Sequence, residues 1–291
     1  MQDNLRRGAL HAVQAAAAFA ITGACIKAAA EHTPNAVVVF VRCAVSLVVL
    51  LPWALRRGQH NVRTQRLGGH LWRAGFGVLA MYTFFYAIAR LPLAEAMLLT
   101  YSTPLWVPFI AWAWIGERPP WVVLPAAVLG MLGIALIVKP TQLSFSGSAG
   151  LASLVGVSSG ILAGCAMVSI RRISDTEPAP RIVFYFALLA TAISALPLPW
   201  HWQTPSVPDL ALLIAAGLFA TVGQLNLTQA YSWAPAARVG PFTYVAVPLS
   251  AVLAWWFWNE AIDAWSALGS ALVIATCVMV SWRRPEPRLE E

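Results

Sequence analysis

Apolar side chains run along this chain in blocks of about 17–25 residues, separated by short polar or proline-containing breaks. Read as helices rising ~1.5 Å per residue, blocks of that length match a hydrocarbon core of ~30 Å. They fall at about 9–30, 34–55, 72–90, 93–115, 121–139, 148–170, 182–200, 209–232, 238–258 and 264–282. The runs are continuous and carry no period-two alternation, which excludes a barrel and predicts an all-α membrane protein of ten transmembrane helices. Small residues recur at every fourth position of two blocks: Ala12, Ala16, Ala20, Ala24 and Ala28 in the first, Ala152, Gly156, Gly160 and Gly164 in the sixth. Each stripe is a smooth face suited to close packing inside the fold; homodimerisation through the glycines is the other reading.

The same stripes expose an internal repeat. A shift of 140 residues superposes them and pairs Cys25 with Cys165. Further on, YAIARLPLAEA (Tyr86 to Ala96) resembles QAYSWAPAARV (Gln229 to Val239), and TYSTPLW (Thr100 to Trp106) answers TYVAVPLS (Thr243 to Ser250). GER (Gly116 to Arg118) answers NEA (Asn259 to Ala261), and both halves close on a basic residue and proline, Lys139-Pro140 and Arg284-Pro285. Residues 1–141 therefore form one five-helix repeat, and residues 142–291 a second with a short cytoplasmic tail. Five is odd, so the second half enters the membrane from the opposite side. Inverted repeats of this kind characterise secondary transporters that rock one helix set against another around a midplane site.

Composition agrees: 59% of the 291 residues are hydrophobic, 11% are charged, and the mean hydropathy is +0.69. The basic residues add an orientation. Of the 19 lysines and arginines, Lys27 and Arg42 lie inside predicted helices and Arg90 and Lys139 fall on one side. All the others, including Arg56 to Arg73, fall on the opposite side, which places both termini in the cytoplasm. The net charge of +7 is thus a topology signal and predicts no nucleic-acid partner; the Arg56 to Arg73 loop is expected near anionic lipid head groups. Arg6-Arg7 before an apolar run ending in AAAE resembles a signal peptide, but cleavage there would remove the first helix of the repeat. The cysteines, Cys25, Cys43, Cys165 and Cys277, all fall within helices and read as small buried hydrophobes.

Candidate chemistry begins with Arg42, inside VVVFVRCAVSLVV and ~12 Å below the Pro34 end of its helix. A cation at that depth needs a partner or a wet cavity. Arg42 either clasps helices, with Glu95 the nearest carboxylate in depth, or meets a substrate carboxylate or gates; Lys27 either snorkels or joins it. Pro104 and Pro248 fall in mid-helix in both halves and are expected to free the carbonyls of Thr100 and Tyr244 as ligand acceptors or hinges. Gln224, Thr228 and Tyr231 share one face of the eighth helix, with Asn226 on another. Tyr82 and Tyr86 lie one turn apart on the third, and Thr100, Tyr101 and Ser102 lie in the fourth; Tyr244 and Trp106 are candidate apolar walls. His11, His32, His60, His70 and His201 sit in loops or at helix ends, and no HExxH motif, paired intramembrane aspartates or phosphate loop is present. An embedded enzyme or scaffold is therefore disfavoured, and neither cofactor nor metal is expected.

TPLWVPFIAWAWIGER with its partner in the ninth helix, Lys27, Arg42 and the duplicated layout resemble the drug/metabolite transporter superfamily, in particular its EamA-type branch. The resemblance implies a bacterial inner-membrane carrier of small metabolites, uncoupled or proton-coupled, often an exporter of amino acids or related compounds. The second half departs from charge symmetry, with Met167 near the Lys27 position and Phe186 at the Arg42 position. The expectation is a carrier that moves a small amphipathic metabolite by alternating access, outward in preference to inward, with multidrug efflux and uptake as alternatives. Its expected site is Arg42, Tyr82, Tyr86, Tyr101, Gln224, Asn226, Thr228 and Tyr244, with Lys27, Glu95, Pro104 and Pro248 in gating or coupling.

Overall fold

The computed structural model describes residues 4–30, 32–56, 59–88, 90, 99–138, 147–259 and 262–282. Among them are ten helices of 13 residues or more: α1 (Leu5–Ala29), α2 (Asn35–Arg56), α3 (Leu67–Ile88), α4 (Thr103–Ile115), α5 (Val123–Val138), α6 (Gly147–Ile173), α7 (Ala179–Ala195), α8 (Val207–Trp233), α9 (Ala246–Trp258) and α10 (Ala264–Trp282). By length and composition α1, α2, α6, α8, α10 and the run from Ala236 to Trp258 can cross a membrane; α4, α5 and α7 are shorter apolar helices. No strand occurs among the described residues.

Local signals account for several ends. The Asn4 side chain accepts from the Arg7 N–H at 3.1 Å, and Ser206 Oγ accepts from the Asp209 N–H at 3.2 Å, so each satisfies an amide that the first turn leaves open. At the other end, α4 stops on Gly116 (φ 71°) and α9 on Asn259 (φ 54°), both left-handed. These are the equivalent residues of GER and NEA, so the sequence repeat carries its helix stop with it.

Packing carries the repeat further. α1 lies along α8 as α3 lies along α6; α2 pairs with α7, and α5 with α10; α1 meets α9 as α6 meets α4; α2 meets α8 as α7 meets α3. Exchanging each helix for the one five places away leaves this list unchanged. The small-residue stripes make the close approaches. A Cβ on Gly156 would meet Leu99 Cδ1 at 2.7 Å, on Gly160 Ser102 Oγ at 2.5 Å, and on Gly164 Ile110 Cδ1 at 2.9 Å. On α1, Ala12, Ala16 and Ala20 are buried. The stripes therefore pack inside the molecule, because only residues without bulk let the backbones come this close.

Two predicted helices are broken rather than kinked. Leu99 and Thr100 are helical, Tyr101 and Ser102 form a turn, and α4 starts afresh with Pro104 in its first turn. In the second half, a short helix (Ala236–Val239) and a 3-10 turn (Gly240–Val245) precede α9, where Pro248 is the third residue. Both prolines thus occupy first turns, where no N–H is required. The Thr100 carbonyl is not free: it accepts from Thr103 Oγ1 at 2.8 Å. The predicted seventh span likewise ends early, at Ala195, with a separate turn at Leu198–His201. The third starts at Leu67 rather than near residue 72, so Arg73, counted with the loop charges at the edge of the predicted block, lies well inside a helix.

Candidate substrate site

The residue that sequence reasoning missed is that arginine. Arg73 is only 2% exposed, and its guanidinium lies 4.2 Å over the Phe186 ring of α7 while Nη2 donates to Gln224 Oε1 of α8 at 3.0 Å. Its Nε is buried without a hydrogen-bond partner. Arg42 on α2 stands near enough for the two like charges to repel, and its Nη2 reaches Met81 Sδ at 3.8 Å. Among the described residues neither arginine has an acidic partner. The signal that would have found Arg73 was its spacing: it falls on α3 one turn beyond His70, toward the bundle interior, while Leu71 and Trp72 are exposed.

Small residues bring α2 close to α8 beside the arginines. Ser46 Oγ donates to the Arg42 carbonyl at 3.1 Å, and Thr221 Oγ1 of α8 donates to Ser46 Oγ at 2.9 Å. A Cβ on Gly217 would meet Val45 Cβ at 2.5 Å and the Arg42 carbonyl at 3.2 Å, so glycine sets how closely α2 rides on α8. The crevice lined by Arg42, Cys43, Ser46, Phe186 and Gln224 has ~10 Å³ for the centre of a water-sized sphere, room for about one water. A metabolite would have to part α2, α7 and α8 to enter. Arginine is suited to such a site because its planar fork grips a carboxylate with two parallel hydrogen bonds.

Of the expected site residues, Arg42 and Gln224 line this crevice, Tyr82 lies near its Cys43, and most of the other described ones sit elsewhere. Asn226 hydrogen-bonds His11 Nδ1 at 2.8 Å and ties α8 to α1. Tyr244 is fully buried, its hydroxyl on the Ala127 carbonyl at 3.2 Å and its ring against Gly130, a bolt onto α5. Tyr101 packs on the same cluster. Tyr82 is 37% exposed, and Tyr86 packs near Ala87 and Leu99 with the Arg90 guanidinium 3.8 Å over its ring. Thr228 is buried, its hydroxyl without a hydrogen-bond partner among the described residues. Lys27 Nζ sits 4.6 Å over the Trp258 ring. Glu95 lies outside the described residues.

The basic end of the bundle carries two ionic clasps. Glu117, after α4, accepts from Arg171 Nε of α6 at 2.7 Å and from the Ala236 N–H at 3.0 Å, while Arg171 Nη1 reaches the Ser232 carbonyl at 3.2 Å. Glu177, before α7, accepts from Thr64 Oγ1 at 2.5 Å and from Arg181 Nη1 at 2.8 Å, with His70 Nε2 at 3.7 Å. Burial pushes the Glu177 carboxyl up, but those two hydrogen bonds, with the charges of His70 and Arg181, hold it below its ordinary value. His70 stacks on Tyr185 at 4.4 Å. Each clasp ties the basic end of one helix pair to the next.

Exposed apolar faces, a core of small residues and two arginines at a helix crossing, Arg73 buried and Arg42 partly so, mark a polytopic membrane protein. The chain belongs to the EamA-like transporter family of the drug/metabolite transporter superfamily, which matches residues 6–139 and 150–282. It is similar to the pseudopaline exporter of Pseudomonas aeruginosa, 35% identical over 96% of this chain and 97% of that one. The riboflavin transporter of Vibrio cholerae is 27% identical over 98% and 96%, and the S-adenosylmethionine uptake transporter of Rickettsia conorii 28% over 84% and 81%. A solved crystal structure at 19% identity superposes with a TM-score of 0.83 over 94% of this chain and 96% of that one, which shows the shared fold. The protein is an integral, multi-pass protein of the bacterial inner membrane.

Proposed function

We propose that this transporter carries a small amphipathic metabolite with at least one carboxylate, bound between Arg42, Arg73 and Gln224, by alternating access between two inverted five-helix halves. The observation that carries the substrate class is the buried Arg73 beside the partly exposed Arg42, neither with an acidic partner among the described residues. A desolvated cation with a like charge beside it is costly, and an anionic ligand relieves both costs. The inverted halves, ten spans and cytoplasmic termini are supported by the five-place exchange in helix packing, the paired left-handed stops and the charge distribution. Amino acids and larger carboxylated metabolites both fit this reading. Outward movement is favoured by likeness to the pseudopaline exporter; inward movement is the second reading, favoured by the riboflavin and S-adenosylmethionine relatives.

The test is counterflow in proteoliposomes with neutral, cationic and carboxylate-bearing amphipaths, repeated with and without a pH gradient to read proton coupling. Saturable exchange restricted to the carboxylates supports the assignment. Exchange of cations alone removes it and leaves the family and fold untouched.

A further inference from the structure

Beyond the substrate site, a second polar cleft opens at the basic end of the bundle. It lies between the start of α3 and the ends of α4 and α6, holds ~230 Å³ for a water-sized sphere, and is lined by Arg66, Gly68, Trp72, Trp114, Ser169 and Arg172. Arg171 next door is spent on Glu117, whereas the Arg172 guanidinium lies over the Trp114 ring, 5.5 Å from its centre. Neither Arg66 nor Arg172 has an acidic partner among the described residues. Below the arginines the wall is aromatic: Trp72 stacks on Phe76 at 5.3 Å, and Phe76 meets Trp114 edge-on at 5.7 Å.

The position of the cleft decides what it faces. Leu67, Leu71, Trp72 and Leu79 are 53%, 51%, 59% and 51% exposed and form a stripe along one side of α3. An apolar stripe of that length on a membrane helix meets acyl chains, and Trp72 belongs to both stripe and cleft. The cleft therefore opens sideways at the boundary where lipid head groups end and hydrocarbon begins. Two guanidiniums in one cleft, that of Arg172 over the Trp114 indole, match at that depth a phosphodiester with its glycerol backbone and chains.

We propose that this cleft is a binding site for the phosphate of an anionic phospholipid, with Arg66 and Arg172 on the phosphate oxygens and Trp72 and Trp114 against the glycerol and upper acyl chain. It is independent of the substrate reading.

The test is thermal unfolding of delipidated protein in detergent with added phosphatidylglycerol, phosphatidylcholine or inorganic phosphate, for wild type, Arg66→Gln/Arg172→Gln and Arg56→Gln/Arg63→Gln. A dose-dependent rise in melting temperature is expected with phosphatidylglycerol in wild type and in the Arg56/Arg63 variant, lost in the Arg66/Arg172 variant. Arg66→Gln alone carries the same test should the double variant not fold. An equal rise with phosphatidylcholine, or a rise kept by the Arg66/Arg172 variant, overturns the site. Protection by inorganic phosphate alone makes it a soluble-anion site and overturns the lipid assignment.

Discussion

Arg73 and Arg42 differ in what their removal should do. Arg73 donates to Gln224 and lies on Phe186, while the side-chain bond of Arg42 is to a thioether. Charged hydrogen bonds contribute about 1.5–3 kcal/mol, so Arg73→Gln should weaken substrate affinity ~10- to 100-fold while the protein still elutes as a folded species. Glu177 gives a pH prediction. Its carboxyl is held below the ordinary value of 4.5, so its stabilisation is fully present above that pH and fades as pH falls through the lower folded value. Glu177→Gln should melt at a lower temperature at pH 7 and lose the acid-side slope that wild type shows in melting curves between pH 6 and 3. At this scale Arg42 and Gln224 were legible as candidates because an intramembrane arginine and a polar helix face are conspicuous. Arg73 was not, because a basic residue near a helix start reads as a loop charge; only α3's true start at Leu67 puts it indoors. Tyr244 shows the ambiguity of a tyrosine in sequence: a hydroxyl in a helix is as readily satisfied by a carbonyl, here that of Ala127, as by a ligand.

Helix existence was legible because runs of apolar residues are long and the lipid thickness is fixed. Helix continuity was not. Proline in mid-block reads equally as a kink or a fresh start, and at Pro104 and Pro248 the chain takes the second course. The four-residue stripes were legible in purpose as well as position, since their spacing allows one face only. Gly160 makes this quantitative: a Cβ would come within 2.5 Å of Ser102 Oγ and 3.0 Å of the Leu99 carbonyl, at the break before α4. Gly160→Val should cost about 1–3 kcal/mol by overpacking, read as a lower melting temperature in detergent. Gly217→Val, which would drive Val45 and the Arg42 carbonyl off α8, should lose transport as well as stability.

At the scale of the molecule, the polarity is that of a protein solvated by lipid. Leu55, Leu79, Leu154, Trp200, Trp256 and Phe257 are each more than half exposed, while His70, Arg73 and Glu177 are buried. The repeat predicts that reporter fusions at both termini, and at the Arg56 to Arg66 loop, respond from the cytoplasmic side, with Trp200 on the other. Symmetry of backbone packing coexists with asymmetry of charge, because Phe186 stands where the first half has Arg42 and serves instead as the platform for Arg73. A carrier needs equivalent halves to rock, but its ligand needs only one place to bind. The most direct measurement is therefore a cycle of ligand charge against residue: concentration-dependent counterflow of one carboxylate substrate and its uncharged amide, in wild type and in Arg73→Gln. The account predicts that wild type favours the carboxylate by ~10-fold or more and that the variant loses most of that preference. An unchanged preference in folded Arg73→Gln would contradict it.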